Sequence, residues 1–128
     1  MKLSTEIEVR FADLDAYGHV NNAVFFTYLE TARVKLFRER SAELMQSGLF
    51  FLVVEASCRY RKPIELNDRV LIDLSVEDLG RSSFTLAYQM HDGEGRTFAD
   101  ARTVMVCFDQ SRGKTTAIPE DFHTAFSA

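Results

Sequence analysis

An α+β fold, in which one antiparallel sheet of five strands wraps a single long helix, is predicted by three features of this sequence. One amphipathic stretch begins near Asn22, and its apolar residues Phe25, Tyr28, Leu29, Ala32 and Leu36 recur three or four apart, the spacing of a helix lying on a core. Five further stretches alternate apolar and polar residues with a period of two, as strands with one buried face do. Four of these follow the helix in succession on short links, and short links join antiparallel neighbours.

Taken in order, Thr5 to Phe11 sets Ile7, Val9 and Phe11 against Glu6, Glu8 and Arg10, which predicts a first strand. A polar loop, Asp13 to His19, leads into the helix, whose opposite seam is Thr27, Thr31, Lys35 and Arg38. Asn21 or Asn22 suits its N-terminus, because a short amide side chain accepts a hydrogen bond from a first-turn N–H. The charged stretch Arg38 to Ser47 stops at Gly48, where freedom at positive φ fits a helix end or a reversal. The second strand sets Phe50, Leu52, Val54, Ala56, Cys58 and Tyr60 on one face and Phe51, Val53, Glu55, Ser57, Arg59 and Arg61 on the other, until Pro63. Its first half is apolar on both faces, which predicts burial on both sides or a subunit contact.

Asn67-Asp68 turns the chain into a third strand on Val70, Ile72, Leu74 and Val76. Phe84, Leu86, Tyr88 and Met90 mark a fourth, and the hairpin turn Asp92-Gly93-Glu94-Gly95 returns it as a fifth from Thr97 to Phe108. Ser111 to Thr116 reads as a polar loop, and Pro119 to Phe126 as one or two helical turns with Phe122 and Phe126 four apart. The small residues Ala56, Ala87, Ala99 and Ala101 are expected to let the helix sit close to the sheet.

With 128 residues, 46% of them hydrophobic, the chain makes one domain, 1–128, with an ordinary core that needs no disulfide or metal staple. A net charge of -4 argues against a nucleic-acid binder, since phosphate binding depends on clustered Lys and Arg. Cys58 and Cys107 sit in apolar runs without CxxC spacing, so buried small hydrophobes in a reducing cytoplasm are expected. The N-terminus alternates charge with apolar residues, and no apolar run approaches about 18 residues, so neither a signal peptide nor a membrane span is predicted.

The run Arg10-Phe11-Ala12-Asp13-Leu14-Asp15-Ala16-Tyr17-Gly18-His19-Val20-Asn21-Asn22, followed by Phe25, Tyr28, Glu30 and Ala32-Arg33, resembles the 4-hydroxybenzoyl-CoA thioesterase branch of the hotdog-fold acyl-CoA thioesterases. Tyr60-Arg61-Lys62-Pro63-Ile64 with Asp68 and Val70 repeats a second family signature, and Gly80-Arg81-Ser82-Ser83-Phe84 a weaker third, so the likeness covers roughly Glu6 to Phe108. The resemblance implies hydrolysis of an acyl-CoA thioester, sites built at a dimer interface, and the second Asp of the loop, Asp15, as the catalytic carboxylate; no metal or organic cofactor is expected, and the doubly apolar Phe50 to Val54 segment predicts a homodimer or homotetramer. His19, Asn21 and Asn22 stand where some relatives carry bulky apolar residues, so an aromatic acyl group does not carry over.

A thioester is already activated, and its hydrolysis needs a base or nucleophile near the carbonyl carbon and donors for the oxygen that becomes anionic. Asp15 fits the first part, and a backbone N–H near Asn22 in the first helical turn fits the second. Asp15 also suits a plain Asx-turn, and Asp13 a loop-stabilising or solvated role. His19 is expected to hold the loop or Asp15 by a hydrogen bond, with a general-base role as the alternative. Asp13, Asp15 and His19 lack a recognised metal spacing. Tyr17 and Gly18 fall where the loop meets substrate, while Arg59, Arg61, Lys62, Arg81, Ser82 and Ser83 are candidates for the phosphates of CoA. Glu30 and Arg33 read first as an ion pair three apart on the helix, with Glu30 the reserve catalytic carboxylate. Two other readings survive on residue types: a hotdog dehydratase or hydratase using Asp15 with His19, and a non-catalytic module that binds acyl thioesters.

Overall fold

A computed structural model describes residues 2–38 and 41–128. In order the elements are β1 (Lys2–Ile7), a 3₁₀ turn (Phe11–Asp13), α1 (Asn22–Phe37), α2 (Ser41–Gln46), β2 (Leu49–Tyr60), β3 (Val70–Glu77), β4 (Ser83–His91), β5 (Thr97–Asp109), β6 (Lys114–Thr115) and α3 (Glu120–Ser127). The strands form one antiparallel sheet in the order β1-β3-β4-β5-β2, and β6 pairs with the end of β5. The expected sheet is therefore extended by a short sixth strand, cut from the stretch read as the Ser111 to Thr116 loop.

The period-three-to-four stripe does what its spacing requires: Phe25, Tyr28, Leu29 and Ala32 are buried, with Leu36 half-buried at the far end. Opposite them lie Ile72 and Leu74 of β3, Phe84, Leu86, Tyr88 and Met90 of β4, and Ala99, Ala101, Met105 and Cys107 of β5. At the C-terminal end of α1 the rings of Phe37, Phe51, Phe84 and Phe126 meet, with Phe37 and Phe51 centroids 5.1 Å apart and Phe84 and Phe126 4.8 Å apart. Helix α3, anchored by Phe122 and Phe126, closes this end.

Two sequence expectations yield to local geometry. The first strand ends at Ile7, and Phe11 turns into the 3₁₀ segment where it is 81% exposed, because the buried carboxylate of Asp13 takes the Arg10 N–H and turns the backbone out of the sheet. In β2 the pairing slips between Val53 and Glu55, leaving Val54 as an extra bulged residue. The alternation predicted across that point is therefore split, and Ala56, Cys58 and Tyr60 follow Phe51 and Val53 on the face toward α1 while Glu55, Ser57 and Arg59 point away. Ala87 also faces away from α1, one step out of phase with the buried Leu86 and Tyr88, and Ala56, though on the α1 side, is exposed beside an open crevice, so the close approach of helix to sheet rests on the buried Ala99 and Ala101.

Among the described residues no helix is long and apolar enough to cross a membrane. Strand β2 forms one edge of the sheet, with Leu52, Val53 and Val54 40 to 59% exposed.

Phe84 is 1% exposed and touches three other rings, so Phe84→Ala is expected to cost about 3–5 kcal/mol. Denaturant titration should show the midpoint fall with the slope unchanged.

Candidate active site

The loop before α1 is built on Asp13. Its carboxylate, 2% exposed, accepts the Tyr28 hydroxyl at 2.7 Å, the Arg10 backbone N–H at 3.0 Å and the Arg10 guanidinium at 2.9 and 3.2 Å. Burial opposes its charge, but the Tyr28 and Arg10 hydrogen bonds outweigh burial and hold the carboxyl below the usual carboxylate range. The same arrangement, through burial and the neighbouring carboxylate, pushes the Tyr28 phenol far up. Asp13 is the loop-stabilising residue of the pair, and its backbone carbonyl accepts the Asn21 N–H at 2.9 Å, tying the loop to the start of α1.

Asp15 sits at the tip, beyond a single bridge between Leu14 and Val20. Its Oδ1 accepts the N–H groups of Tyr17 at 2.9 Å and His19 at 3.3 Å, an Asx-type turn, while its backbone exchanges bonds with His19 and Gly18. Gly18 carries the reversal at φ 77, a left-handed conformation that a side chain would strain. Among the described residues nothing hydrogen-bonds to Oδ2 of Asp15. The turn thus fixes the carboxylate by one oxygen and leaves the other open. His19 supports Asp15 through its backbone N–H; its ring turns the other way, with Nε2 3.9 Å from Glu65. Tyr17 is 86% exposed at the tip.

At the helix start, Asn21 is the cap: its side chain accepts the Ala23 N–H at 2.9 Å and its carbonyl the Val24 N–H at 2.9 Å. These bonds use the neighbouring first-turn donors, and the Asn22 N–H has no acceptor among the described residues. The Asn22 carbonyl accepts the Tyr60 hydroxyl at 2.9 Å, and the Tyr60 ring stands edge-on to Phe25 at 4.9 Å. Tyr60 belongs to the second sequence signature, but its spacing gives no hint of this contact. Further along the helix a crevice of about 350 Å³ lies between α1 and β2, lined by Phe26, Thr27, Glu30, Arg33, Val53, Ala56 and Thr103.

The other candidates lie elsewhere in the chain. Arg59 and Arg61 point to the sheet face away from α1, into a groove of about 1020 Å³, where Arg61 pairs with Asp100. Lys62 is exposed just past the strand. Arg81, Ser82 and Ser83 stand at the start of β4, level with Val106 and so with the Leu52 end of β2, whereas Asn22 meets Tyr60 at the other end. One chain therefore does not gather Arg59, Arg61, Arg81, Ser82 and Ser83 with Asp15. Among the described residues no ion pair joins Glu30 to Arg33, because the Arg33 guanidinium reaches across the core to the Tyr88 hydroxyl at 3.3 Å, itself 2.7 Å from Thr103. Cys58 is half-buried and Cys107 buried, and burial pushes both thiols up, which suits inert side chains more than nucleophiles.

A curled antiparallel sheet around one long helix, with an Asp-bearing loop at the helix N-terminus, defines the hotdog-fold class of thioesterases. The sequence profile of the thioesterase-like superfamily matches residues 9–126, and the chain belongs to that family, as a thioester hydrolase. The long-chain acyl-CoA thioesterase FadM of Escherichia coli is 34% identical over 119 residues, spanning 91% of this chain and 90% of that protein. The crystal structure of a hypothetical protein from Thermus thermophilus superposes with a TM-score of 0.86 at 30% identity, covering 97% of this chain and 96% of that one. A 1,4-dihydroxy-2-naphthoyl-CoA thioesterase from Synechocystis shares the fold with a TM-score of 0.89 at 23% identity, over 99% of this chain and 96% of that one.

Removing the Tyr28 hydroxyl leaves a buried carboxylate oxygen short of a donor, so Tyr28→Phe is expected to cost about 2 kcal/mol at neutral pH. Because the folded Asp13 carboxyl titrates lower than in the unfolded chain, this stabilisation is full above about pH 4 and is lost as acid protonates it. Urea titrations of both proteins at pH 7 and in the acid range should show the gap close on acidification.

Proposed function

We propose that the protein hydrolyses an acyl-CoA thioester to the free acid and CoA, with Asp15 as its catalytic carboxylate and the Asn22 N–H as the oxyanion donor. The observation that carries this reading is a pair of groups without a partner among the described residues, one on the loop and one on the helix start it leads into: Oδ2 of Asp15 on a fixed turn, and the first-turn N–H of Asn22. In this reading the thioester carbonyl rests its oxygen at the helix N-terminus, where the free N–H and the helix dipole favour the negative charge that develops. Asp15 Oδ2 either takes the proton of a water that attacks the carbonyl carbon, or attacks that carbon itself to form a mixed anhydride that water then hydrolyses; in both routes the C–S bond breaks and CoA leaves as the thiolate, which takes up a proton. In this reading the crevice along α1 takes the acyl group, and Tyr17 and Gly18, on the loop that carries Asp15, meet the substrate from the loop side.

The working unit in this reading is a homodimer, or a tetramer built from it. The apolar β2 edge is an association hazard if left uncovered. Antiparallel pairing of β2 with β2 of a second copy sets the Leu49 end of one strand beside the Tyr60 end of the other. That brings the Arg81, Ser82 and Ser83 corner of the second copy toward the first copy's Asp15, and with Lys62 supplies donors for the phosphates of CoA. Arg59 and Arg61, turned to the opposite sheet face, hold a lesser part in this reading. No nucleic acid or membrane enters it, and the two free thiols fit a reducing cytoplasm.

A panel of acyl-CoA thioesters of varied chain length, followed by release of free thiol, tests the reaction. Thiol release supports it; hydration of an enoyl-CoA without thiol release, or binding of CoA and carrier-bound acyl groups without turnover, sinks it. Asp15→Asn should keep the fold by circular dichroism and lower kcat by about 10²-fold or more, with Asp13→Asn costing far less turnover. Asn22→Pro tests the donor. Proline is tolerated at the first helical position, and Asn21, at φ -57 and ψ 137, already has the extended backbone that a following proline requires. The fold should persist while kcat drops about 10²–10³-fold, the scale for losing one oxyanion donor. Near wild-type turnover of Asp15→Asn, with activity abolished in Glu30→Gln or His19→Ala, would reassign the catalytic group.

For the assembly, light scattering should give a dimer or larger species, and Val54→Asp on the exposed edge should shift it toward monomer with loss of activity. A wild-type monomer at active concentrations would refute the interface.

A further inference from the structure

We propose that Tyr60 is a positioning residue for the reaction, holding the first turn of α1 so that the Asn22 N–H is aimed at the thioester oxygen; the inference rests on the oxyanion role given to that N–H above. Tyr60 is the last residue of β2 and is held from two sides. On the sheet side it pairs with Ala99, and just beyond it the N–H groups of Arg61 and Lys62 both donate to the Phe98 carbonyl, at 2.8 and 3.1 Å. On the helix side its ring stands edge-on to Phe25, centroids 4.9 Å apart at 73°, and its hydroxyl donates to the Asn22 carbonyl at 2.9 Å. A rigid strand end is thereby fastened to the residue whose N–H is open.

The bond is oddly placed for a purely structural one. The Asn22 carbonyl also accepts within the helix ladder, and Tyr60 is 43% exposed, so water replaces this donor at little cost to folding. Alignment has a different sensitivity. An oxyanion donor works only when its N–H is set in advance where the charge will develop, and displacements well under 1 Å already slow the reaction. The Asn21 cap fixes the turn from the loop side and Tyr60 fixes it from the sheet side. Without Tyr60, the first turn is free to lean away from the β2 edge, and Asn22 leans with it.

Tyr60→Phe keeps the ring on Phe25 and deletes the hydroxyl's bond to Asn22, together with its contact with the half-buried Cys58 thiol. Assayed with the acyl-CoA that turns over fastest in the chain-length panel, it should lower kcat about tenfold with KM and the melting temperature unchanged. The same substitution placed on Asn22→Pro should change kcat by no more than about twofold, because the group it aims is already gone. The inference is overturned by a kcat within about twofold of wild type for Tyr60→Phe, by a loss that falls on KM, or by an equal tenfold loss on the Asn22→Pro background. If the double variant is too slow to assay, the split between kcat and KM in the single variant decides. Full activity of Asn22→Pro alone instead overturns the oxyanion reading, and the role of Tyr60 with it, while leaving thioester hydrolysis by Asp15 in place.

Discussion

The buried carboxylate of Asp13 is the constraint on which the rest of this molecule's working end depends. A charge at 2% exposure is tolerated only because every approach to it is a donor: the Tyr28 hydroxyl from α1, and the backbone and guanidinium of Arg10. Satisfying it fixes three things together. The chain leaves the sheet after Ile7, the loop is pinned to the second turn of α1, and the Asp13 carbonyl is placed to receive Asn21, which then caps the helix. Asp15 stands two residues further on, so its turn inherits this anchoring. The division of labour between the two aspartates follows from burial: one carboxylate is consumed by structure, and the other keeps an open oxygen.

The second constraint is the bulge in β2. A twelve-residue edge strand with strict alternation would put Phe51 and Ala56 on opposite faces. The extra residue at Val54 restores phase, so Phe51, Val53, Ala56, Cys58 and Tyr60 all serve the α1 side along the strand's whole length. That single slip lines the crevice and brings Tyr60 to the helix N-terminus. It also leaves a bent apolar edge at the middle of the strand, where a second copy has most to cover.

What was legible in the sequence is what obeys local periodicity. The bounds of β3 and β4 and the buried stripe of α1 follow from spacing alone, because those segments have one apolar face each. The bulge was invisible for the same reason: Leu52, Val53 and Val54 are all apolar, so a change of phase among them alters no pattern. Phe11 deceived because it continues an alternation whose backbone has already turned away. The contacts that shape the working end lie between residues far apart in sequence: Tyr28 with Asp13 at 15, Tyr60 with Asn22 at 38, and Arg33 with Tyr88 at 55. In the last case a local rule, the ion pair of Glu30 with Arg33, lost to a partner supplied by the sheet.

The resemblance could name Asp15 where the residues alone allowed an Asx-turn, and the geometry makes those two readings compatible. An Asx-turn needs only one carboxylate oxygen, and here Oδ1 meets both N–H donors. A carboxylate so held loses rotational freedom without losing its charge or its second oxygen, which is the condition for a fixed base or nucleophile to act without paying for its orientation at the moment of reaction. The donor side repeats the logic. The Asn21 cap takes the N–H groups of Ala23 and Val24, and the Asn22 N–H beside them is left without an acceptor among the described residues. Structural satisfaction and chemical availability are thus complementary at this corner: each bond that stabilises the loop or the cap also narrows the set of atoms left to meet a substrate.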